Sequence, residues 1–122
     1  MLETIESDKP EFEIWGTGKP VREWIYIDDV CEIMLLSLET NKSMLEPINI
    51  AQGKGFSIAE TAKGISKALK YNGKLIFNTS YQDGAAIKIL GNDKFSKYFE
   101  NYNFHNHEEG IAKTVQYYKE IL

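Results

Sequence analysis

The chain has 122 residues, 43% of them hydrophobic and 26% charged, and a net charge of -4. That length suits one compact domain over residues 1–122, burying roughly two-thirds of the surface of the unfolded chain, and the composition excludes a mainly disordered state. An acidic chain with no basic face lacks the Lys and Arg that would neutralise phosphates, which excludes nucleic-acid binding. No apolar run approaches the ~20 residues needed to span a bilayer, so no membrane association is expected. The N-terminus, Met1-Leu2-Glu3-Thr4-Ile5-Glu6, is acidic and lacks the apolar core of a signal peptide. Cys31, the single cysteine, can form no internal disulfide. A cytoplasmic location is the expectation.

Residues 1–7 read as the end of a helix, stopped before Pro10. Phe12, Glu13 and Ile14 alternate as in a half-buried strand, and Gly16 to Pro20 forms a turn. Trp24-Ile25-Tyr26-Ile27 is rich in aromatic and β-branched residues and predicts a second strand. Asp28 is a good N-cap, and Asp29 behind it suits the helix dipole, so a helix is expected from Asp28 to about Thr40-Asn41. Pro47 to Ala51 reads as a short buried strand, and Gln52 to Gly55 as a loop. Ser57 and Glu60 have capping-box spacing, with Ile58, Ala62, Ile65 and Leu69 at helical spacing behind them. Leu75 to Phe77 predicts a strand, Asn78 to Ala86 a polar loop, and Lys94 to Phe99 a short helix. A last helix starts at Asn106, with Glu109 in capping-box position and Ile111, Val115, Tyr118 and Leu122 as its apolar stripe. The pattern is mixed α/β, with short strands and about three main helices.

Several motifs invite chemistry. Gly16-x-Gly18 lacks the third glycine of a dinucleotide fingerprint, since position 21 is Val21, and Lys19 is followed by Pro20 rather than the Ser or Thr of a Walker A loop. A glycine turn between strands is the simpler reading. Asp28-Asp29 reads as helix capping rather than a carboxylate pair. His105 and His107 lack the further ligands of a zinc site and read as surface-loop residues, so no metal is expected. Cys31, in an apolar helix with no evident base, reads as core. The Gly53-x-Gly55 lead-in to Ser57 is structural by default, although such a loop can offer amides to a phosphate. Trp15 and Arg22 flank the glycine turn. An indole offers a flat apolar surface to a sugar or base, and a guanidinium a fork matching a diphosphate. Spacing alone leaves this open against a core indole and a surface arginine.

The helix after Asp28 carries Val30, Ile33, Met34, Leu35, Leu36 and Leu38. At about 100° per residue these point to nearly every side of the axis. A helix apolar all round is normally buried on more than one face. The chain is therefore expected to hide the surplus face by self-association or by a partner, with Leu35 or Leu36 at or near the contact.

The run from Trp15 to Val30, WGTGKPVREWIYIDDV, closely resembles the WGTGxPxREFxYVDDx segment of the extended short-chain dehydrogenase/reductases, on the NAD-dependent epimerase/dehydratase side that includes GDP-L-fucose synthase. Three further segments match in order. Ile48 to Gly53 resembles INIGTG, Asn78 to Gly84 resembles DTSKPDG, and Glu108 to Ile111 resembles the end of LEEGI. The likeness runs from about residue 11 to near the end of the chain.

The resemblance implies the small α/β substrate-binding lobe of such an enzyme, without its Rossmann domain. It implies substrate-binding roles for Trp15, Arg22, Asp83 and Lys88 toward a nucleotide-sugar. Where the family continues TPRK, this chain has Ala85-Ala86-Ile87-Lys88, losing one cation and keeping the lysine; Gln82 replaces the family's proline. The intact family enzyme uses NAD or NADP. The nicotinamide fingerprint, the catalytic Ser and the Tyr-x-x-x-Lys pair belong to a separate nucleotide-binding domain and are absent from this sequence. No catalytic residue and no cofactor site is therefore expected in the chain itself. The resemblance implies recognition of the substrate of an NAD(P)-dependent epimerase, dehydratase or reductase. The alternative is a non-catalytic binding or interaction module that keeps the lobe's fold.

Overall fold

A computed structural model describes residues 9–39 and 46–121, together with Met1, Ile5 and Ser7. The helix expected over residues 1–7 and the end of the helix near Thr40-Asn41 lie largely outside the described residues. Two small sheets and four helices organise what is described. Strand β1 (Glu11–Trp15) pairs in parallel with β4 (Lys74–Asn78), from Glu11 opposite Lys74 to Trp15 opposite Asn78. A second sheet has β2 (Val21–Arg22) at its centre. It runs antiparallel to β3 (Phe56–Ser57) and parallel to β5 (Ile87–Lys88). The helices are α1 (Ile27–Glu39), α2 (Ile58–Leu69), the short α3 (Asp93–Tyr98) and α4 (His107–Ile121). This is the expected α/β lobe, with three main helices and short strands.

The β1 alternation appears as read: Ile14 is buried, Phe12 half-buried, and Glu11, Glu13 and Trp15 face out. Helix α2 begins as its capping box dictates. Ser57 Oγ accepts from the Glu60 amide at 3.1 Å, and the Glu60 carboxylate accepts from the Ser57 amide at 2.7 Å. Its buried Ala62 and Leu69 face inward, and α2 packs against α4 where Ile111 approaches Gly64. Lys70 ends α2 in the left-handed conformation, at φ 56°. The core is completed by Ile33 of α1, Ala51, Phe95 of α3 and Val115 of α4. Phe95 also stacks on Phe99 and contacts the rings of Tyr102 and Phe104.

Two expected strands are not strands. Residues 23–26 are irregular, and α1 starts at Ile27, one residue before the expected Asp28 cap. Pro47 to Ala51 is likewise irregular, although Ala51 is fully buried. Neither segment has a neighbouring strand among the described residues, and β preference without a pairing partner leaves the backbone unladdered. The stripe expected on α4 is also narrower than read: Val115 is buried, Ile111 half-buried and Tyr118 exposed, while Leu122 lies outside the described residues.

No described helix is long and apolar enough to cross a membrane.

Candidate functional site

The site is built where β1 and β4 end together. Because the strands are parallel, Trp15 and Asn78 close the ladder side by side. The chain then turns through Gly16 (φ 85°) and Gly18 (φ 74°), a left-handed backbone that side chains rarely adopt. Space demands glycine there as well. A Cβ on Gly16 would meet Asp83 Oδ1 at 2.3 Å, and one on Gly18 would meet the Phe77 ring at 2.3 Å. After β4, the Asn78 side chain accepts from the Ser80 amide at 3.1 Å and turns the chain back. That turn lays the Tyr81 ring on the Trp15 indole, with centroids 4.4 Å apart and planes 11° from parallel.

Asp83 then latches the returning segment onto the glycine turn. Its Oδ1 accepts from the Thr17 amide at 2.8 Å and its Oδ2 from the Thr17 hydroxyl at 2.5 Å. The Thr17 hydroxyl, helped by the Thr17 amide and the Lys19 charge, holds the Asp83 carboxyl below its ordinary value. The carboxylate retains acceptor capacity beyond these two bonds.

Arg22 and Lys88 meet across β2 and β5. They are register partners in a parallel pair, so their side chains leave the same face of the sheet about 5 Å apart at the backbone. One edge of the Arg22 fork is spent on the protein, as Nη1 donates to Val21 O at 2.7 Å and to Ala85 O at 2.8 Å. The other edge has no acceptor among the described residues and lies near Gly84, where an added Cβ would be 3.2 Å from Nη2. Segment 81–85 thus touches Trp15 on β1, Thr17 in the turn and Arg22 on β2, and leads directly into Lys88.

Glu23, which was not among the expected site residues, follows directly after β2 and serves as a brace. Its Oε1 accepts from the amides of Gln52 (2.6 Å) and Gly53 (3.1 Å), and its Oε2 accepts from Leu90 (2.8 Å). It therefore fixes both loops beside Lys88. Its place directly after the arginine was the available signal, but glutamate beside arginine looks like an ordinary surface ion pair.

Four further readings change. Asp29 lies in the first turn of α1 as expected, but it is buried there rather than only capping: it is 1% exposed and accepts from the His105 amide (3.1 Å), His105 Nδ1 (2.7 Å) and the Tyr102 hydroxyl (3.2 Å). Accordingly His105 is an anchored, half-buried side chain rather than a surface-loop residue. His107 is also held, stacked on Phe56 with centroids 3.9 Å apart and with Nε2 3.1 Å from Thr61 Oγ1; burial pushes its pKa down. Cys31 is not core but an exposed free thiol. Among the described residues no cluster of three His, Cys, Asp or Glu side chains offers a metal site.

The residues present do not fit a nicotinamide dinucleotide at either glycine-rich segment. The Gly16–Gly18 turn leads into a strand rather than a helix, and the Asp83 carboxylate occupies its concave side. At the start of α2 the amides of Ser57, Ile58, Ala59 and Glu60 are already taken by Glu60, Pro20, Gly18 and Ser57. The Gly53 amide is held by Glu23. These amides are therefore not free to cradle a pyrophosphate.

A shallow hollow of about 470 Å³ lies elsewhere, between α1 and the Tyr98–Asn103 turn, and includes none of the four site residues.

Residues 1–51 match the NAD dependent epimerase/dehydratase family. The GDP-L-colitose synthase of Yersinia pseudotuberculosis is 32% identical over 97% of this chain, and the GDP-L-fucose synthase of Escherichia coli K12 is 31% identical over 97% of it. A GDP-L-fucose synthetase of Naegleria fowleri, solved with NADP, superimposes with a TM-score of 0.87 over 98% of the chain at 27% identity. The chain is thus similar to part of an NAD-dependent epimerase/dehydratase. It spans 38% and 39% of the two curated relatives' length and 37% of the solved one.

The Asp83 latch has a pH signature. A carboxyl depressed by native contacts stabilises the fold above its unfolded value and loses that contribution as pH falls through the folded value. The relevant window therefore lies below the ordinary 3.8. Carbon-detected NMR titration should place the Asp83 midpoint below 3.8, and Thr17→Val should move it up. An unmoved midpoint in Thr17→Val would show that the hydroxyl does not hold the carboxylate.

Proposed function

We propose that this chain is the nucleotide-sugar-binding lobe of an NAD(P)-dependent epimerase, dehydratase or reductase, and that it recognises the substrate without catalysing its conversion alone. The observation that carries this reading is the pairing of Arg22 with Lys88 across two parallel strands. Like charges directly opposite on neighbouring strands destabilise a sheet. Glu23 is turned to backbone amides and Asp83 to Thr17, so neither is spent on neutralising the pair. A diphosphate supplies the missing charge and matches the open edge of the guanidinium. Asp83 accepts from ligand hydroxyls with its remaining lone pairs, and Trp15 supplies apolar surface. Hydride transfer needs the nicotinamide cofactor, which a separate nucleotide-binding domain would hold. The exposed Cys31 thiol suits a reducing, cytoplasmic setting.

GDP-sugars are the first ligands to try, because the relatives named above carry GDP in their names. Half of a shared pocket binds weakly, so NMR titration should give a Kd of about 1 mM. Arg22→Ala should weaken it by about 1.5–3 kcal/mol, the worth of a hydrogen bond to a charged group. An Arg22→Ala chain with the same titration curve would remove the assignment.

A second reading rests on α1. Ile27, Cys31, Met34, Leu35 and Leu38 recur at helical spacing and are exposed, while Ile33 is buried on the opposite side. We propose that a second copy of this chain covers this stripe, and that a supplied nucleotide-binding domain displaces it.

A further inference from the structure

We infer that the stacked Trp15–Tyr81 pair is a preorganised platform for a nucleobase, and that Tyr81 is the positioning residue that gives this chain its base affinity. The inference rests on the diphosphate reading above.

Trp15 is 67% exposed, yet it is held on two sides. Its Nε1 donates to Glu13 Oε1 at 3.0 Å, and the other oxygen of Glu13 accepts from Asn78 Nδ2, also at 3.0 Å. Asn78 is the cross-strand partner of Trp15, so the hydrogen-bonded edge of the indole is tied to the strand pair beneath it. Tyr81 covers one indole face at 4.4 Å. With the side chain 67% exposed, indole surface remains for a ligand. Two large rings stacked outside the core contribute little to the packed interior, but a fixed indole loses no rotamer freedom when a ligand lands on it.

Tyr81 is this chain's own feature. Where the resembling segment reads DTSKPDG, the position of its lysine carries an aromatic ring here. A cation at that position would offer a point charge, whereas Tyr81 offers a second flat surface beneath the first. Geometry favours a base over the sugar. Ala85, whose carbonyl holds Arg22, lies four residues beyond Tyr81, so the ring stands at most about 14 Å from the cation pair's anchor. A nucleoside diphosphate reaches across that span with its diphosphate on Arg22 and Lys88 and its base on the indole. Purines and pyrimidines both present a π face to aromatic side chains.

The test uses the full chain with Trp24→Phe, which leaves Trp15 as the single tryptophan reporter. The probes are GDP and inorganic pyrophosphate. GDP should quench Trp15 emission and bind about ten-fold more tightly than pyrophosphate. Tyr81→Ala should remove that advantage while leaving pyrophosphate binding unchanged, and Tyr81→Phe should restore it. A purely structural role for Tyr81 would weaken both probes alike and would overturn the inference. So would Tyr81→Ala binding GDP as well as the parent does. If neither probe binds, the diphosphate reading falls and the platform with it; if both bind equally, only the platform falls.

Discussion

Replacing Asp29 by alanine should destabilise the fold by about 3–5 kcal/mol, the usual cost of removing one member of a buried charged hydrogen-bonded group. Asp29 is 1% exposed and sits at the start of α1, yet its partners come from the far end of the chain. It accepts from the His105 amide and ring and from the Tyr102 hydroxyl, and Tyr102 also donates to Glu32 at 2.8 Å. Burial, with the Glu32 bond behind it, pushes the Tyr102 phenol well above its ordinary value, so it remains a donor across the working pH range. Alanine would leave the His105 amide and ring without their acceptor, and the Tyr102 hydroxyl with Glu32 alone. A domain of this size has about 6–18 kcal/mol in total, so the loss is a large fraction. Urea unfolding should show a much lower midpoint for Asp29→Ala, with Asp29→Asn in between. A shift below about 1 kcal/mol would mean that the Asp29 cluster does not join α1 to the segment before α4.

Self-association should respond as strongly to one charge on α1. Leu35 is 65% exposed at the middle of the Ile27–Cys31–Met34–Leu35–Leu38 stripe. In a two-fold contact each substitution is present on both sides, and a glutamate would be buried against apolar partners on each. Sedimentation should show a dimer or larger species at micromolar concentration for the parent, and a monomer for Leu35→Glu with unchanged circular dichroism. A parent chain that stays monomeric at high concentration would show that the stripe needs no cover. Leu36, the other residue expected at the contact, is half-buried by the chain itself, so Leu35 is the more direct probe.

The parts of this molecule that were legible in its sequence are those decided locally. The capping box of α2 joins Ser57 to Glu60, and the β1 alternation is a two-residue rhythm; both act over a few residues, and both appear as read. Strands β2, β3 and β5 have two residues each, too few for any periodicity, so the sheet that brings Arg22 to Lys88 left no trace. The segments that looked most like strands, Trp24 to Ile27 and Pro47 to Ala51, failed because preference does not supply a partner. The Asp29–His105 contact spans 76 residues, and no local pattern announces it. Resemblance alone singles out Asp83 and Lys88 as candidates, and it is what favours a binding role for Trp15 and Arg22, which residue type and spacing leave open. What resemblance did not show is how they are held: the phenol beneath the indole, the hydroxyl on the carboxylate and the glutamate brace behind the cations.

The central claim is that these residues form one binding surface for a nucleotide-sugar. The most direct measurement is an amide and indole shift map of the labelled full chain titrated with a GDP-sugar. The account predicts that the largest changes fall on the Trp15 indole, Thr17, Arg22, the 81–85 segment and Lys88, and that they saturate together. Changes gathered instead on the hollow between α1 and Tyr98–Asn103, or none at several times the expected Kd, would contradict it.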